Sequence, residues 1–235
     1  MLDEALLESF MNGFYGYGTW SAKYWFVGME EGGGSSIAEV AARLETWNHR
    51  GRPEVDDLFE FCKSTGIKQW FGPNAKRQAT WAQLCRVALI ANAQSVEREN
   101  IIEYQNTRLA RREGETALLE LLPLPSTKTT AWIYSGVTSL PFLNSRRGYE
   151  EFIRPGRLRQ LRENIAIHRP RAVVFYGNRY FWKNELVLKS GEYFDTNTSG
   201  STLLIATAHP TAWGKANDRF AAIGHLIRKH VEGRS

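Results

Sequence analysis

Two short segments hold the side chains best suited to chemistry. Residues 28–34 read Gly-Met-Glu-Glu-Gly-Gly-Gly, and residues 209–215 read His-Pro-Thr-Ala-Trp-Gly-Lys. Glu30 and Glu31 are adjacent carboxylates, groups that stabilise a developing cation or orient a water molecule. The glycines after them let backbone approach a ligand closely and take positive φ. His209 is followed by a stiff proline, which can aim its imidazole into a site. Trp213, between Ala212 and Gly214, has the setting of an exposed ring that can wedge between bases. Each feature also has a plainer reading: solvated acids on a flexible loop, a structural histidine, and an aromatic anchoring its own loop. No Gly-Lys-Ser/Thr follows the glycines, so the first segment is not a Walker phosphate loop.

Both segments follow apolar runs with the look of strands. Lys23–Gly28 leads into the first segment and Thr202–Ala208 into the second, while Arg171–Gly177 forms a third run after a proline. A fourth, Thr116–Leu122, is open to either a strand or a helix, because ALLELL suits both. Continuous apolar strands separated by helical segments predict a parallel sheet covered on both faces. Helical spacing of apolar residues predicts helices over Ser36–Trp47, Lys76–Ala93, Pro155–His168 and Asn217–Val231. The order of elements is that of an α/β layered domain. Ligands in such sheets bind beyond the carboxyl ends of the strands, where both segments lie.

Composition narrows the partner. The chain has 235 residues with 43% hydrophobic and 23% charged side chains, enough apolar material for a sizeable core. The apolar runs are far too short to span a bilayer. The acidic, amphipathic start MLDEALLESF fits neither a signal nor a transit peptide. Cys62 and Cys85 are too few for a disulfide framework or a four-cysteine cluster and read as buried thiols, which points to the cytoplasm. The net charge of +5 is uneven: residues 1–60 carry −7 and the remainder +12. A basic body with 8 Trp and 9 Tyr suggests a polyanion, nucleic acid first, although a merely basic protein has the same totals. Eight arginines fall between 146 and 171, a DNA-facing stretch or a solvated helix face.

Four pieces, in order, resemble the uracil-DNA glycosylase superfamily. GMEEGG is similar to its first motif (Gly-Met-Asn-Pro-Gly in one branch, Gly-Gln-Asp-Pro-Tyr in another). ALLELLPLP is similar to its middle strand, Leu-Leu-Asn followed by apolar residues. HRPRAVVFYG matches its Pro-basic-strand-Gly element, and HPTAW its second motif, His-Pro-Ser-Pro-Leu. Together they span roughly residues 23–230. The resemblance implies a three-layer α/β/α sandwich with a central, mostly parallel four-stranded sheet. It also implies one domain over residues 1–235, with a helical insert at about 48–112. It implies a monofunctional glycosylase without metal or other cofactor, flipping a base out of double-stranded DNA; a monomer is expected. Glu30 takes the place of the catalytic Asp or Asn, Glu31 that of the following Pro, and His209 that of the histidine supporting the leaving base. Trp213 falls at the wedge, and Thr211, Lys215 and Arg219 beside it are expected at DNA.

The departures from the pattern are informative. Glu120 stands where the family reads the base with Asn. A neutral carboxyl donates to N3 and accepts from N4, matching cytosine, and burial in an apolar strand would favour that form. Gly32 stands where one branch has a tyrosine that closes the pocket at base C5, and Gly33 extends the opening. Trp47, Trp70, Phe71 and Trp81 are candidates to pack on a bulky substituent or in the core. These features suggest a C5-modified cytosine, such as glucosylated 5-hydroxymethylcytosine of phage DNA, as the target of an anti-phage enzyme. A uracil glycosylase and a non-catalytic reader of modified DNA are the alternatives.

Overall fold

The computed structural model describes residues 2–128 and 130–233. Among these, eight α-helices surround a seven-stranded mixed sheet. Four strands form its parallel centre: β4 (Thr116–Leu122), β2 (Tyr24–Glu30), β5 (Ala172–Gly177) and β7 (Thr202–Ala208). The expected four-stranded sheet is therefore only the middle. Two-residue β1 (Gly16–Tyr17) pairs antiparallel with β4, and two-residue β3 (Val55–Asp56) lies parallel beside β1. At the other edge β6 (Phe194–Ser199) forms an antiparallel hairpin with β7. β1 and β3 are too short for an alternation signal, and β6, FDTNTS, is polar and largely uncovered.

The central strands are buried along nearly their whole length, as strands covered on both faces must be. Trp182 of α7 (Arg179–Glu185) packs its ring 4.7 Å from Phe175 on one face. On the other, the Tyr24 hydroxyl donates to Asn92, which caps α4 (Ala79–Ala91). α8 (Ala216–Glu232) packs along α4. The segment ALLELL is a strand because it sits between β2 and β1, with hydrogen-bonded neighbours on both sides. Both cysteines are buried and free, and burial pushes the Cys62 thiol up to about 12. No helix of the described residues is long and apolar enough to cross a membrane.

Two helices matter most for what the strands deliver. α2 (Ile37–His49) follows the glycine loop. Ser36 caps it by accepting from Glu39 N–H, and the Glu39 carboxylate reaches back to the Gly34 and Ser35 amides. This reciprocal box fixes where the loop ends. α6 (Arg146–His168) starts nine residues before the expected boundary at Pro155. Ser145 caps it through Gly148 N–H, and buried Tyr149 and Ile153 continue the stripe of Leu158, Leu161 and Ile165. Tertiary burial of that stripe outweighs the proline, whose missing N–H usually ends or kinks a helix. The insert region also contains α3 (Leu58–Ser64) and α5 (Arg98–Thr107).

Candidate active site

The sheet presents two rows of side chains on one face near its carboxyl edge. In the inner row, register places Glu120 of β4 opposite Gly28 of β2, and Tyr176 of β5 opposite Thr207 of β7. Gly28 has no side chain, and the two polar groups meet over it: Tyr176 Oη lies 3.4 Å from Glu120 Oε1. A Cβ at Gly28 would stand 2.3 Å from Glu120 Oε2 and 2.8 Å from Tyr176 Oη. The glycine is there to admit a carboxyl and a phenol into the middle of a sheet. Gly28→Ala is expected to destabilise the protein by about 1–3 kcal/mol, the cost of overpacking, read as a lower denaturation midpoint. A variant of native stability would show that the carboxyl moves aside freely.

Burial raises the Glu120 carboxyl well above the ordinary range, and the neighbouring Glu31 and Glu30 charges push it the same way. Its Oε2 is buried without a hydrogen-bond partner, as is Thr207 Oγ1 further along the row. An unpartnered ionised oxygen in such a place would be costly, so the neutral acid is the form that fits. Tyr176 is likewise held far above its usual range by burial and by Glu120.

The outer row lines a cleft of about 1010 Å³. Glu30, Leu122 and His209 enter it from the ends of β2, β4 and β7, together with Asn178 just after β5 and Tyr176 from below. Glu30 Oε2 accepts from Arg146 Nη2 at 2.5 Å, leaving Oε1 free. Burial raises the Glu30 carboxyl, and the Arg146 hydrogen bond and charge oppose that rise. Glu31, adjacent in sequence, is turned elsewhere. It pairs with Arg43 of α2 at 2.5 Å and accepts from the Tyr17 hydroxyl at 3.0 and 3.1 Å. Sequence leaves the two acids interchangeable; the structure gives Glu30 to the cleft and Glu31 to a buried arginine.

His209 has a defined tautomer. The Thr211 backbone N–H, which can only donate, points at Nδ1 from 3.2 Å, and Thr211 Oγ1 lies 2.9 Å from the same atom. Nδ1 is therefore an acceptor and Nε2 carries the proton. Burial lowers the imidazole below its ordinary value, which keeps it neutral at physiological pH. Thr211, expected at DNA, is thus a positioning residue for His209.

Other expected site residues separate similarly. Gly32 lines the cleft, and a Cβ there would meet nothing within 4 Å. Gly33 instead lies against Glu39 and Arg43, away from the cleft. Gly34, at φ 65°, makes its close approach to the Pro125 carbonyl rather than to a ligand. Trp213 is fully exposed on its loop and Lys215 is exposed beside it. Arg219 is partly buried and donates to the His209 carbonyl at 3.2 Å, so it holds the loop rather than projecting to a phosphate. Arg157, in the arginine-rich stretch, is buried and donates to the Glu120 and Leu121 carbonyls. Trp47 is core, and Trp70, Phe71 and Trp81 pack on one another outside the cleft.

No family model and no curated protein matches this chain. The site must therefore be read from its own geometry. Among the described residues, no group of three His, Cys, Asp or Glu side chains is arranged to hold a metal ion. Three parts of the cleft wall carry no motif in the sequence: Ser126, Thr127 and Lys128 after β4, Glu150 on the first turns of α6, and Asn178, Arg179 and Phe181 after β5. The rule that sites gather beyond strand ends could have found the first and third groups.

Proposed function

We propose that this chain is a monofunctional DNA glycosylase of the uracil-DNA glycosylase type. It acts on a C5-modified cytosine, with glucosylated 5-hydroxymethylcytosine of phage DNA as the best candidate. One observation carries the reading: a carboxylate (Glu30), a neutral imidazole with its proton on Nε2 (His209) and a phenol (Tyr176) line one cleft at the ends of parallel strands, and the carboxyl of half-buried Glu120 lies against that phenol just beneath the cleft lining.

The chemistry follows from those groups. Loss of the base from C1′ leaves an oxocarbenium-like sugar, which the free Oε1 of Glu30 stabilises while accepting a proton from the attacking water. The water oxygen bonds to C1′, and the electron pair of the C1′–N1 bond departs with the base. The Nε2–H of His209 donates to the base O2 as negative charge develops there. Glu120 supplies its proton toward N3, which makes cytosine a better leaving group. The open space at Gly32 admits a substituent at C5. Base flipping costs a few kcal/mol, which Trp213 as wedge and Lys215 as phosphate contact offset.

The reading is tested by incubating the protein with uracil-containing, unmodified and glucosylated phage duplexes and counting alkali-labile sites. Breaks confined to glucosylated DNA are expected. Breaks only in uracil DNA would establish the ordinary repair activity instead, and unaltered bases in every duplex would leave a reader of modified DNA. Trp213→Ala is expected to lower single-turnover excision about tenfold or more with no change in melting temperature, since its ring touches only solvent. A native rate would remove Trp213 as the wedge.

A further inference from the structure

The cleft is larger than a flipped base requires. At about 1010 Å³ it reaches the top of the ~300–1,000 Å³ range of pockets that enclose whole drug-sized ligands. Its α6 side carries an unbroken chain of ion pairs. Glu30 Oε2 bonds Arg146 Nη2 at 2.5 Å, Arg146 Nε bonds Glu150 Oε1 at 3.0 Å, and Glu150 Oε2 bonds Arg154 Nη2. The spacing 146, 150, 154 puts the last three on one face of the helix. Arg154 also stacks its guanidinium over Phe181, 5.1 Å from the ring centre, and its Nε is buried without a partner.

This wall has the wrong character for a phosphate. The guanidiniums around it are already engaged: Arg146 by Glu30 and Glu150, Arg154 by Glu150, exposed Arg147 by Glu151, and Arg179 of α7 by Asp195. What remains is a sequence of alternating donors and carboxylate acceptors beside an aromatic ring. Vicinal hydroxyls, each both donor and acceptor, fit such an array, and the apolar face of a sugar ring fits Phe181. We infer that the Glu30–Arg146–Glu150–Arg154 chain with Phe181 is a subsite for an uncharged, polyhydroxylated substituent on the base, a single hexose in size. The inference rests on the modified-cytosine reading and deepens it. It also joins recognition to chemistry, because the chain ends on the carboxylate proposed to stabilise the sugar cation.

The experiment compares single-turnover excision from three duplexes, bearing 5-hydroxymethylcytosine, its glucosylated form or 5-carboxycytosine, by the native protein, Glu150→Gln and Phe181→Leu. The native protein is expected to favour the glucosylated base. Both variants are expected to lower the ratio of glucosylated to hydroxymethyl rates about tenfold, the effect of losing a charge-assisted hydrogen bond or a stacked ring. The two substitutions alter different elements, so a folding defect in one leaves the other decisive. Excision of the glucosylated base with an unchanged ratio in both variants would overturn the subsite and leave the glycosylase reading intact. A native preference for the carboxylate would overturn it too, by showing a wall that reads charge. No excision from any of the three would end both proposals.

Discussion

Glu30→Gln is expected to reduce single-turnover excision about a thousandfold, within the range that a positioned carboxylate contributes. The amide keeps an oxygen for Arg146, and Arg146 keeps Glu150, so fold and DNA affinity should hold. What is lost is the negative charge of a carboxylate that lines the cleft. Glu31→Gln provides the contrast. Its carboxylate neutralises Arg43, which is almost entirely buried and has Tyr17 as its other partner. Taking the charge away leaves a guanidinium uncompensated, at about 3 kcal/mol. Glu31→Gln should therefore lower the denaturation midpoint while the folded fraction retains much of its rate. If the two variants exchange phenotypes, Glu31 is the reacting acid and Glu30 the structural one.

Why the sequence could not separate these acids is a matter of parity. Neighbouring residues leave a strand on opposite sides, and which side faces the cleft depends on register with β4. Glu30 stands opposite Leu122, and Leu122 lines the cleft. That partner lies 92 residues away and leaves no trace in GMEEGG. The apolar strands were legible because burial on both faces demands continuous runs, and α2 because Ser36 and Glu39 form a local box. The first turns of α6 were not, since Pro155 looks like a helix start. Those turns carry Arg146, Glu150 and Arg154: the arginines were legible as a basic stretch, but the misplaced boundary hid the i, i+4 spacing that sets them with Glu150 along one wall of the cleft. The glycine run misled in a different way. Only Gly32 borders the cleft, while Gly33 and Gly34 accommodate the chain's own Arg43, Glu39 and Pro125. A glycine states that something comes close, not what. Arg157 and Arg219 make the same point for charge: a cation counted toward a DNA face can be consumed by backbone carbonyls.

The second large effect concerns the proton on Glu120. If that proton is delivered to the base, excision needs Glu120 neutral and Glu30 ionised, and the rate follows a bell-shaped pH profile. The sign of each limb follows from the form required. Activity falls on the acid side as Glu30 takes up a proton. It falls on the alkaline side as Glu120 loses one, at a pH displaced upward by its burial and by the Glu31 and Glu30 charges. Tyr176 from β5 and Arg157 from α6 oppose that displacement, the first by hydrogen bonding and the second by its charge. Because the acids interact, the limbs belong to the coupled set rather than to single residues. Glu120→Gln keeps a donor and an acceptor in the same place but has no proton to transfer. It should lower kcat about a hundredfold with little change in KM, and the alkaline limb should disappear. Tyr176→Phe keeps the acid and removes the bond that favours its ionised form. Its alkaline limb should move to higher pH by about half to one unit, the worth of one hydrogen bond. Glu120→Asn tests base reading separately, since an amide can turn to match uracil as readily as cytosine, and the preference for cytosine-type bases should weaken. An alkaline limb that survives in Glu120→Gln, or a preference unmoved in Glu120→Asn, would remove Glu120 from the chemistry and return the pair over Gly28 to a structural role.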